Sequence, residues 1–355
     1  MALKEEYERA RREKVDDYAK QFRVTIVDNK IMLYNEKTGE LKELDKHVNF
    51  TTDENGKVLT MRHLNDGDII VEDKNGKLRI VTQKQLEIME QKRYNEKVCT
   101  EFELALGGFC WMIYYDNKIF DSKLDIKHIS KVMYLATFME YNTNKLVFQE
   151  NGKANRPFTE KDLRQLLDLD RRVYSAFKKD VITNEIMTFT DTGIYMSEIF
   201  FYKGEIGQYK CDIRKQNGSF SRFYVSTIRT LYEGIIDNRQ HKTLGYLFQL
   251  LPYCDFNYNV ITRSPNTERA YDDVLTKKDI AELLGIEFKA YERIETQLKK
   301  LVIKVNDIEY YVIGRETIKI GEREDKFYII NPFIFNSQKR GHFTSLERIW
   351  RKLRV

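Results

Sequence analysis

An internal repeat restricts the possible folds of this chain more than any other feature of its sequence. Two segments, beginning at Phe158 and at Leu275, match without a gap at an offset of 117 residues. The identical residues are Thr159, Lys161, Asp162, Leu166, Leu167 and Tyr174 in the first copy and Thr276, Lys278, Asp279, Leu283, Leu284 and Tyr291 in the second. Upstream, residues 141–142 match residues 258–259. A duplicated unit of this kind predicts a duplicated local fold.

Each copy predicts two helices joined by a short turn. In a capping box, a hydroxyl and a carboxylate three residues apart bond backbone N–H groups at the start of a helix. The capping pairs are Thr159 with Asp162 and Thr276 with Asp279. A three-residue turn follows each first helix, and its central residue, Leu169 or Ile286, is expected to point inward. This order is typical of a helix-turn-helix, whose second helix presents its outer face to the major groove of DNA.

The second helix of each copy carries apolar residues four positions apart, which predicts a buried face. These residues are Val173, Phe177 and Val181 in the first copy and Ala290, Ile294 and Leu298 in the second. A hairpin is predicted after each helix, around residues 191–193 in the first copy and across a loop from Gly314 to Asp325 in the second. Earlier helices are predicted over residues 125–141 and 241–254. Together these elements predict a winged-helix domain in each copy.

The N-terminal residues follow a different pattern. Residues 2–22 predict a charged helix with a thin apolar stripe, either packed lightly on a neighbour or dimerising as a coil. Short alternating runs between turn residues predict an antiparallel β region from about Arg23 to Val81. A further helix is predicted over residues 82–98.

The predicted fold class is therefore α+β and mainly helical, with two tandem winged helix-turn-helix domains preceded by a small β-rich N-terminal domain. A length of 355 residues is consistent with two or three compact units. The predicted parts are residues 1–98 (N-terminal helix, small β-rich domain and connecting helix), 99–206 (first winged-helix domain), 207–240 (basic linker with a helix), 241–337 (second winged-helix domain) and 338–355 (basic amphipathic C-terminal helix).

Composition indicates a folded, cytoplasmic protein. Hydrophobic residues make up 42% of the chain, the net charge is +5, and residues 121–355 carry 39 basic and 32 acidic side chains. This basic excess is compatible with a polyanionic partner, although solvated surfaces rich in Lys and Glu are common. The four cysteines are scattered, which favours reduced thiols. The charged N-terminus lacks the apolar core of a signal peptide, and no segment has the length of a membrane span.

Over roughly residues 124–337, the repeated pattern resembles the tandem winged-helix replication initiators of plasmids and phages, together with related phage regulators. The resemblance rests on the order of elements, because no signature word unique to that family is present. It implies binding to origin or operator repeats in double-stranded DNA, a homodimer, and recruitment of host replication or transcription proteins. Residues 1–98 lie outside the resemblance.

Basic residues on the outer faces of the second helices are the predicted DNA contacts. Arginines near a helix start can pair with guanine, whereas lysines more often meet phosphate. A solvated basic face would have a similar pattern. The predicted DNA-binding residues are Arg171, Arg172, Ser175, Lys178 and Lys179 on the first helix, Lys289, Arg293, Gln297 and Lys300 on the second, Arg315, Lys319 and Arg323 in the later hairpin, Lys210, Arg214 and Lys215 in the linker, and Lys339 and Arg340 in the tail.

Two of these regions have a second interpretation. Glu292 and Glu295 are expected on the outer face of the second copy, where carboxylates repel phosphate. That copy is therefore expected to read DNA less directly or to serve in dimerisation. The tail has one apolar helical face, expected to dock on the protein while its basic residues meet DNA, with a membrane surface as the alternative.

The sequence contains no pattern that favours catalysis. It has no GxxxxGK[ST] phosphate loop, and its five histidines show neither HxH nor HExxH spacing. We therefore expect no catalytic residues, no metal and no cofactor. The leading hypothesis is a replication initiator that binds double-stranded DNA, and a transcriptional regulator is the alternative. A DNA-processing enzyme and a protein-interaction module are the remaining hypotheses.

Overall fold

The computed structural model of the chain forms two compact units, Met1–Tyr94 and Asn95–Val355. It describes residues 22–27, 30–43, 48–52, 54–55, 57–63, 69–72, 78–81, 83–115, 124–148, 155–208, 213, 216, 218–235, 237–256, 258–265, 273–320, 323–336 and 353–355. Both copies of the repeat lie in the second unit. Among these residues, no helix has both the length and the apolar composition that crossing a membrane requires.

The first unit is built from short antiparallel strands where the sequence predicts a β region. The strands are β1 (Phe22–Val27), β2 (Lys30–Asn35), β3 (Leu41–Glu43), β4 (Val48–Thr52), β5 (Val58–His63), β6 (Ile69–Glu72) and β7 (Leu78–Val81). They form a sheet of order β1-β2-β3 and the separate pairs β4-β5 and β6-β7. Helix α1 (Gln83–Ala105) follows and is longer than predicted. Of the helix predicted over residues 2–22, residues 2–21 lie outside the described residues, and residue 22 begins β1.

The second unit alternates helices with short strands. Its first part contains β8 (Phe109–Tyr115), α2 (Ile126–Ala136), β9 (Val147–Phe148), β10 (Arg156–Pro157), α3 (Glu160–Leu166), α4 (Arg171–Thr183), β11 (Met187–Thr190), β12 (Gly193–Met196), β13 (Phe201–Tyr202) and a 3-10 turn at Ile206–Gln208. Its second part contains β14 (Gly218–Tyr224), α5 (Val225–Glu233), α6 (Asn238–Leu250), a 3-10 turn at Leu251–Tyr253, α7 (Lys277–Leu283), α8 (Phe288–Leu298), β15 (Val302–Val305), β16 (Ile308–Tyr311), β17 (Ile313–Ile320), β18 (Arg323–Ile330) and β19 (Phe335–Asn336).

A four-stranded sheet joins the two copies of the repeat. Its order is β13-β8-β14-β19, and every neighbouring pair is antiparallel. The central strands β8 and β14 pair along their whole length, from Phe109 opposite Tyr224 to Tyr115 opposite Gly218. The edge strand β13 comes from the first copy and the edge strand β19 from the second. Each copy therefore ends in the same sheet, at opposite edges.

A buried asparagine in each copy holds the edge strand in place. The side-chain amide of Asn144 donates to the Phe201 carbonyl at 2.6 Å, and that of Asn259 donates to the Phe335 carbonyl at 2.7 Å. Asn144 and Asn259 are thus the structural equivalents, at an offset two residues shorter than that of the helices. The sequence match of Asn142 with Asn259 is therefore wrong in register, because the connection to the helix pair is longer in the second copy.

The main apolar core of the second unit contains side chains from both copies, and smaller buried clusters are separate from it. A single cluster of buried side chains includes Leu163 and Phe177 of the first copy together with Ile280 and Leu298 of the second. Helix α2 packs against α6. At their crossing, a Cβ on Gly245 would lie 2.1 Å from the backbone carbonyl oxygen of Ile126, a distance that no side chain tolerates. Glycine is therefore required for this contact.

The prediction of a mainly helical protein with two tandem winged-helix domains is wrong. In the part of the chain that the structure describes, eight helices accompany nineteen strands in several small sheets, and no winged-helix fold is identified. The physical reason is that the strands after the repeats pair with β8 and β14, so the copies share one sheet and one core. Strand β14 and helix α5 lie within the segment that was expected to link two separate domains.

Candidate nucleic-acid interface

The first helices of both pairs begin with the predicted capping boxes. The Thr159 hydroxyl accepts from the Asp162 backbone N–H at 3.2 Å, and the Asp162 carboxylate accepts from the Thr159 backbone N–H at 2.8 Å. Thr276 and Asp279 make the same two bonds at 3.3 and 2.9 Å. Both capping boxes are confirmed, and they fix where α3 and α7 begin.

The turns inside the two helix pairs have matching backbone geometry. Asp168 has φ of 48° and Gly285, its equivalent, has φ of 64°, so both adopt the left-handed conformation that ends a helix. The inward residues Leu169 and Ile286 pack against the core, as predicted. The Asp170 carboxylate then caps α4 by accepting from the Val173 backbone N–H at 2.9 Å. These contacts give α4 a defined direction relative to α3.

The buried faces of α4 and α8 differ from the prediction by one residue. The fully buried residues are Tyr174, Phe177 and Val181 on α4 and Tyr291, Glu295 and Leu298 on α8. Val173 is 39% exposed, and Ala290 and Ile294 are only half-buried. Residues four positions apart drift around a helix of 3.6 residues per turn, so a strict four-residue pattern misplaces the face.

The outer face of α4 presents an exposed group of basic and hydroxyl residues. Arg171, Arg172, Ser175 and Lys179 are all exposed. The three basic side chains form no ion pair with any residue that the structure describes. The Ser175 hydroxyl donates to the Arg171 carbonyl at 2.9 Å, which leaves its oxygen able to accept. Four of the five predicted contact residues on this helix are therefore accessible to a partner.

Lys178, the fifth predicted contact, points away from this face. Its Nζ lies 2.7 Å from Glu160 Oε1 on α3 and 4.7 Å from the centre of the Phe189 ring on β11. Glu160 also accepts from the Tyr174 hydroxyl at 3.4 Å.

The only acidic side chain on the inner side of α4, Asp180, lies 2.6 Å from His128 Nδ1 on α2. Neither charged side chain contributes to the exposed face.

The outer face of α8 is less basic. The predicted contacts Lys289, Arg293, Gln297 and Lys300 are exposed, and so is Glu292. Gln297 accepts a hydrogen bond from the Thr243 hydroxyl on α6, so part of its amide is already occupied. The exposed carboxylate of Glu292 partly cancels the attraction of these three cations for phosphate.

Glu295 was predicted on the outer face of α8, but it is buried. Lys277 Nζ lies 2.6 Å from one of its oxygens, and Lys299 and the Tyr328 hydroxyl bind the other. Burial alone would raise the pKa of Glu295, but the hydrogen bonds from Lys277, Lys299 and Tyr328 outweigh burial and lower it below its usual value. Burial in turn raises the pKa of the Tyr328 hydroxyl, with the charge of Glu295 adding to the effect.

The hairpins after the helix pairs also differ from the prediction in the second copy. Strand β15 pairs with β16 across Asn306 and Asp307, whose positive φ values of 49° and 63° suit a two-residue hairpin turn. This hairpin corresponds to β11-β12 of the first copy. The segment predicted as a loop from Gly314 to Asp325 belongs instead to a separate long hairpin, β17-β18. The long hairpin is an addition specific to the second copy.

The basic residues of the additional hairpin and of the connecting segments are only partly described. Arg315 is exposed, and its guanidinium lies 5.9 Å from the centre of the Tyr328 ring. Lys319 and Arg323 lie in β17 and β18, whose backbone alone is described at those positions. The predicted contacts Lys210, Arg214, Lys215, Lys339 and Arg340 lie outside the described residues.

Two other arginines of the basic connecting segment are engaged inside the protein. Arg222 on β14 is 4% exposed and lies 2.9 Å from Glu103 on α1. Arg229 on α5 donates to the Thr137 hydroxyl and carbonyl at 2.9 and 3.0 Å and stacks on the Phe138 ring. Sequence patterns gave no sign of these contacts, because each partner lies about 90 residues or more away. Neither arginine is available to a nucleic acid.

No group of three or more His, Cys, Asp or Glu side chains that could hold a metal ion occurs in the described residues.

Comparison with known protein families, with curated proteins and with solved structures found no match for this chain.

Proposed function

We propose that this protein binds double-stranded DNA in a sequence-specific manner, with the outer face of α4 as the main reading surface. One observation carries the proposal. Arg171, Arg172 and Lys179 stand exposed on one side of a capped, well-packed helix, without an ion-pair partner among the described residues. Lys178 and Asp180, the charged residues on either side of Lys179 in the chain, are turned inward.

The shape of this surface suits duplex DNA. The major groove accepts a single α-helix, and side chains in its first turns reach the edges of the bases. Arg171 and Arg172 occupy the first turn of α4, where a guanidinium can bond O6 and N7 of a guanine. Lys179 lies two turns later, where a lysine more often meets phosphate. Ser175 offers an oxygen between them.

The second copy is assigned a supporting role. Lys289, Arg293 and Arg315 give it cations for the phosphate backbone, while Glu292 disfavours close approach of the helix to DNA. The second copy therefore adds affinity that depends strongly on salt and adds less sequence preference. A replication initiator and a transcriptional regulator would both use this chemistry.

The test is selection of bound fragments from the genome that encodes the protein, followed by salt titration on the enriched sequence. We expect a discrete site whose affinity falls steeply as salt rises. Repeated sites at an origin would indicate an initiator, and one or two sites over a promoter would indicate a regulator. Failure to enrich any fragment would contradict the proposal, and metal-dependent cleavage of DNA would replace it with an enzymatic function.

A further inference from the structure

The two copies contain the same ion pair with its charges exchanged. In the first copy, Glu160 on α3 pairs with Lys178 on α4, with 2.7 Å between Nζ and Oε1. The equivalent positions, 117 residues later, hold Lys277 on α7 and Glu295 on α8, with 2.6 Å between Nζ and Oε2. The carboxylate has moved from the first helix to the second, and the distance across the pair is almost unchanged.

Each carboxylate also binds other parts of its own copy. Glu160 accepts from the Tyr174 hydroxyl, while Lys178 lies over the Phe189 ring of the following hairpin. Glu295 binds the Tyr328 hydroxyl of the additional hairpin β17-β18 at 2.8 Å. In both copies the pair thus connects the first helix, the second helix and a hairpin.

We propose that Lys178 and its equivalent Glu295 are positioning residues, which set the angle of the outer helix on its neighbour and make no contact with DNA. The proposal rests on the proposed function, because the angle of α4 matters for binding only if α4 faces DNA. A phosphate contact requires a cation, whereas a positioning pair requires only opposite charges. The second copy has Glu295 at the position of Lys178. A carboxylate there can form a positioning pair, but it cannot make a phosphate contact.

Neighbouring lysines on α4 provide a matched comparison. The side chain of Lys178 is 30% exposed and paired, whereas Lys179 is exposed and has no ion-pair partner in the described residues. The variant E160K/K178E exchanges the charges and reproduces the arrangement of the second copy. The variant E160K/K179E has the same net charge, but it places two lysines, at positions 160 and 178, next to each other.

The experiment measures affinity for the selected DNA fragment in K178E, E160K/K178E and E160K/K179E. We expect K178E to bind about tenfold more weakly than the wild type, because two carboxylates then face each other between α3 and α4. The exchanged pair should return affinity to within about threefold of the wild type, while E160K/K179E remains at least about tenfold weaker. Equal loss in the two double variants would overturn the proposal, because Lys178 would then act as a phosphate contact like Lys179.

A measurement without DNA separates this proposal from the proposed function. Amide hydrogen exchange should be faster across α4 in K178E than in the wild type and should return to the wild-type rate in E160K/K178E. If the wild type enriches no DNA fragment, the DNA-binding function fails, and the exchange rates alone decide whether the pair positions α4. Unchanged exchange in K178E would refute the positioning role whatever the DNA result.

Discussion

At the scale of single residues, the two arginines that open α4 are in an unfavourable place for an isolated helix. The N-terminus of a helix carries a partial positive charge, so Arg171 and Arg172 are repelled by it. The first turn of the helix contains no acidic side chain, and the Asp170 carboxylate already caps the helix. A bound phosphate or a guanine edge would relieve this repulsion, which supports a role for both residues in binding.

Replacement of Arg172 tests this role directly. We expect Arg172→Ala to weaken specific binding by about 1 to 3 kcal/mol, because a paired contact to a base is lost. Arg172→Lys should also weaken specific binding while leaving the dependence on salt nearly unchanged, since lysine keeps the charge but not the two-pronged geometry. Affinities by fluorescence anisotropy over a range of salt concentrations would measure both effects.

The matched control for this prediction is Lys97→Ala on α1. The side chain of Lys97 is 75% exposed. Its loss removes one positive charge, at a position that is distant in the sequence from the residues of the proposed reading surface. Its affinity should stay close to that of the wild type. An Arg172→Ala protein that binds like Lys97→Ala would exclude Arg172 as a contact.

Asp162 predicts a pH dependence of stability. The guanidinium of Arg156, 2.9 Å away, lowers the pKa of Asp162 to about 2, and the Thr159 bonds add to the effect. A carboxyl whose pKa is lowered by folding stabilises the protein above its unfolded value, near 4, and loses that effect as pH falls through the folded value. The difference in Tm between the wild type and Asp162→Asn should therefore shrink between about pH 4 and pH 2.

Thermal unfolding at a series of pH values would measure this difference. Asp191→Asn, in the exposed turn of β11-β12, supplies the baseline for removing one carboxylate. A Tm difference for Asp162→Asn that stays constant down to pH 2 would contradict the assigned role of Asp162.

At the scale of elements, each helix pair depends on its cap. Thr159→Ala removes the hydroxyl that accepts from the Asp162 backbone N–H, so the free energy of unfolding should fall by about 1 kcal/mol. Thr296→Ala is a suitable comparison, because the Thr296 hydroxyl bonds a carbonyl within α8 and caps nothing. Chemical denaturation would measure both variants, and equal stability of the two would show that the cap contributes little.

The elements of the helix pairs could be predicted because their signals are local. The capping boxes and the inward turn residues Leu169 and Ile286 depend on residues within a few positions of one another. The buried face of α8 could not be predicted, because burial of Glu295 requires Lys277 and Tyr328, which are 18 and 33 residues away along the chain. Sequence periodicity treats a carboxylate as solvent-facing and does not register distant partners.

In the hairpins of the second copy, too, local features could be predicted from the sequence and strand pairing could not. A polar stretch after Gly314 has the composition of a loop, yet it continues β17, whose partner strand β18 fixes the register. Asn306 and Asp307 form a recognisable hairpin turn. Two apolar runs lie next to each other in the sequence here, and either of them could be assigned to the same strand. Only the pairing of backbones distinguishes these alternatives.

At the scale of the whole molecule, the crossing of α2 and α6 supports the common core of the two copies. Gly245→Ala normally stabilises a helix, by about 1 kcal/mol. Here the added Cβ would meet the Ile126 backbone carbonyl, so we expect a lower Tm and a loss of about 1 to 3 kcal/mol instead. Differential scanning calorimetry would measure the change.

Gly207→Ala provides the control for this substitution. A Cβ at Gly207 meets no atom within 4 Å, so its Tm should remain within about a degree of the wild type. A Gly245→Ala protein as stable as Gly207→Ala would show that α2 and α6 can move apart without a loss of stability.

The arrangement of the whole molecule was the part least accessible from sequence. Duplication suggested two separate domains, because each copy contains a complete local pattern. The strands that join the copies, β13 and β19, are two residues long and carry no periodic signal of their own. Their partners β8 and β14 come from segments outside the repeated pattern, so the shared sheet depends on long-range pairing.

The exchanged ion pair has a consequence for how the chain assembles. A protein with two similar helix pairs can misfold by docking α3 against α8, or α7 against α4. Such a mispaired chain would place Glu160 beside Glu295 and Lys277 beside Lys178, so each wrong pairing would bring like charges together. Because the ion pairs of the two copies have opposite polarities, each short helix forms a favourable ion pair only with the second helix of its own copy.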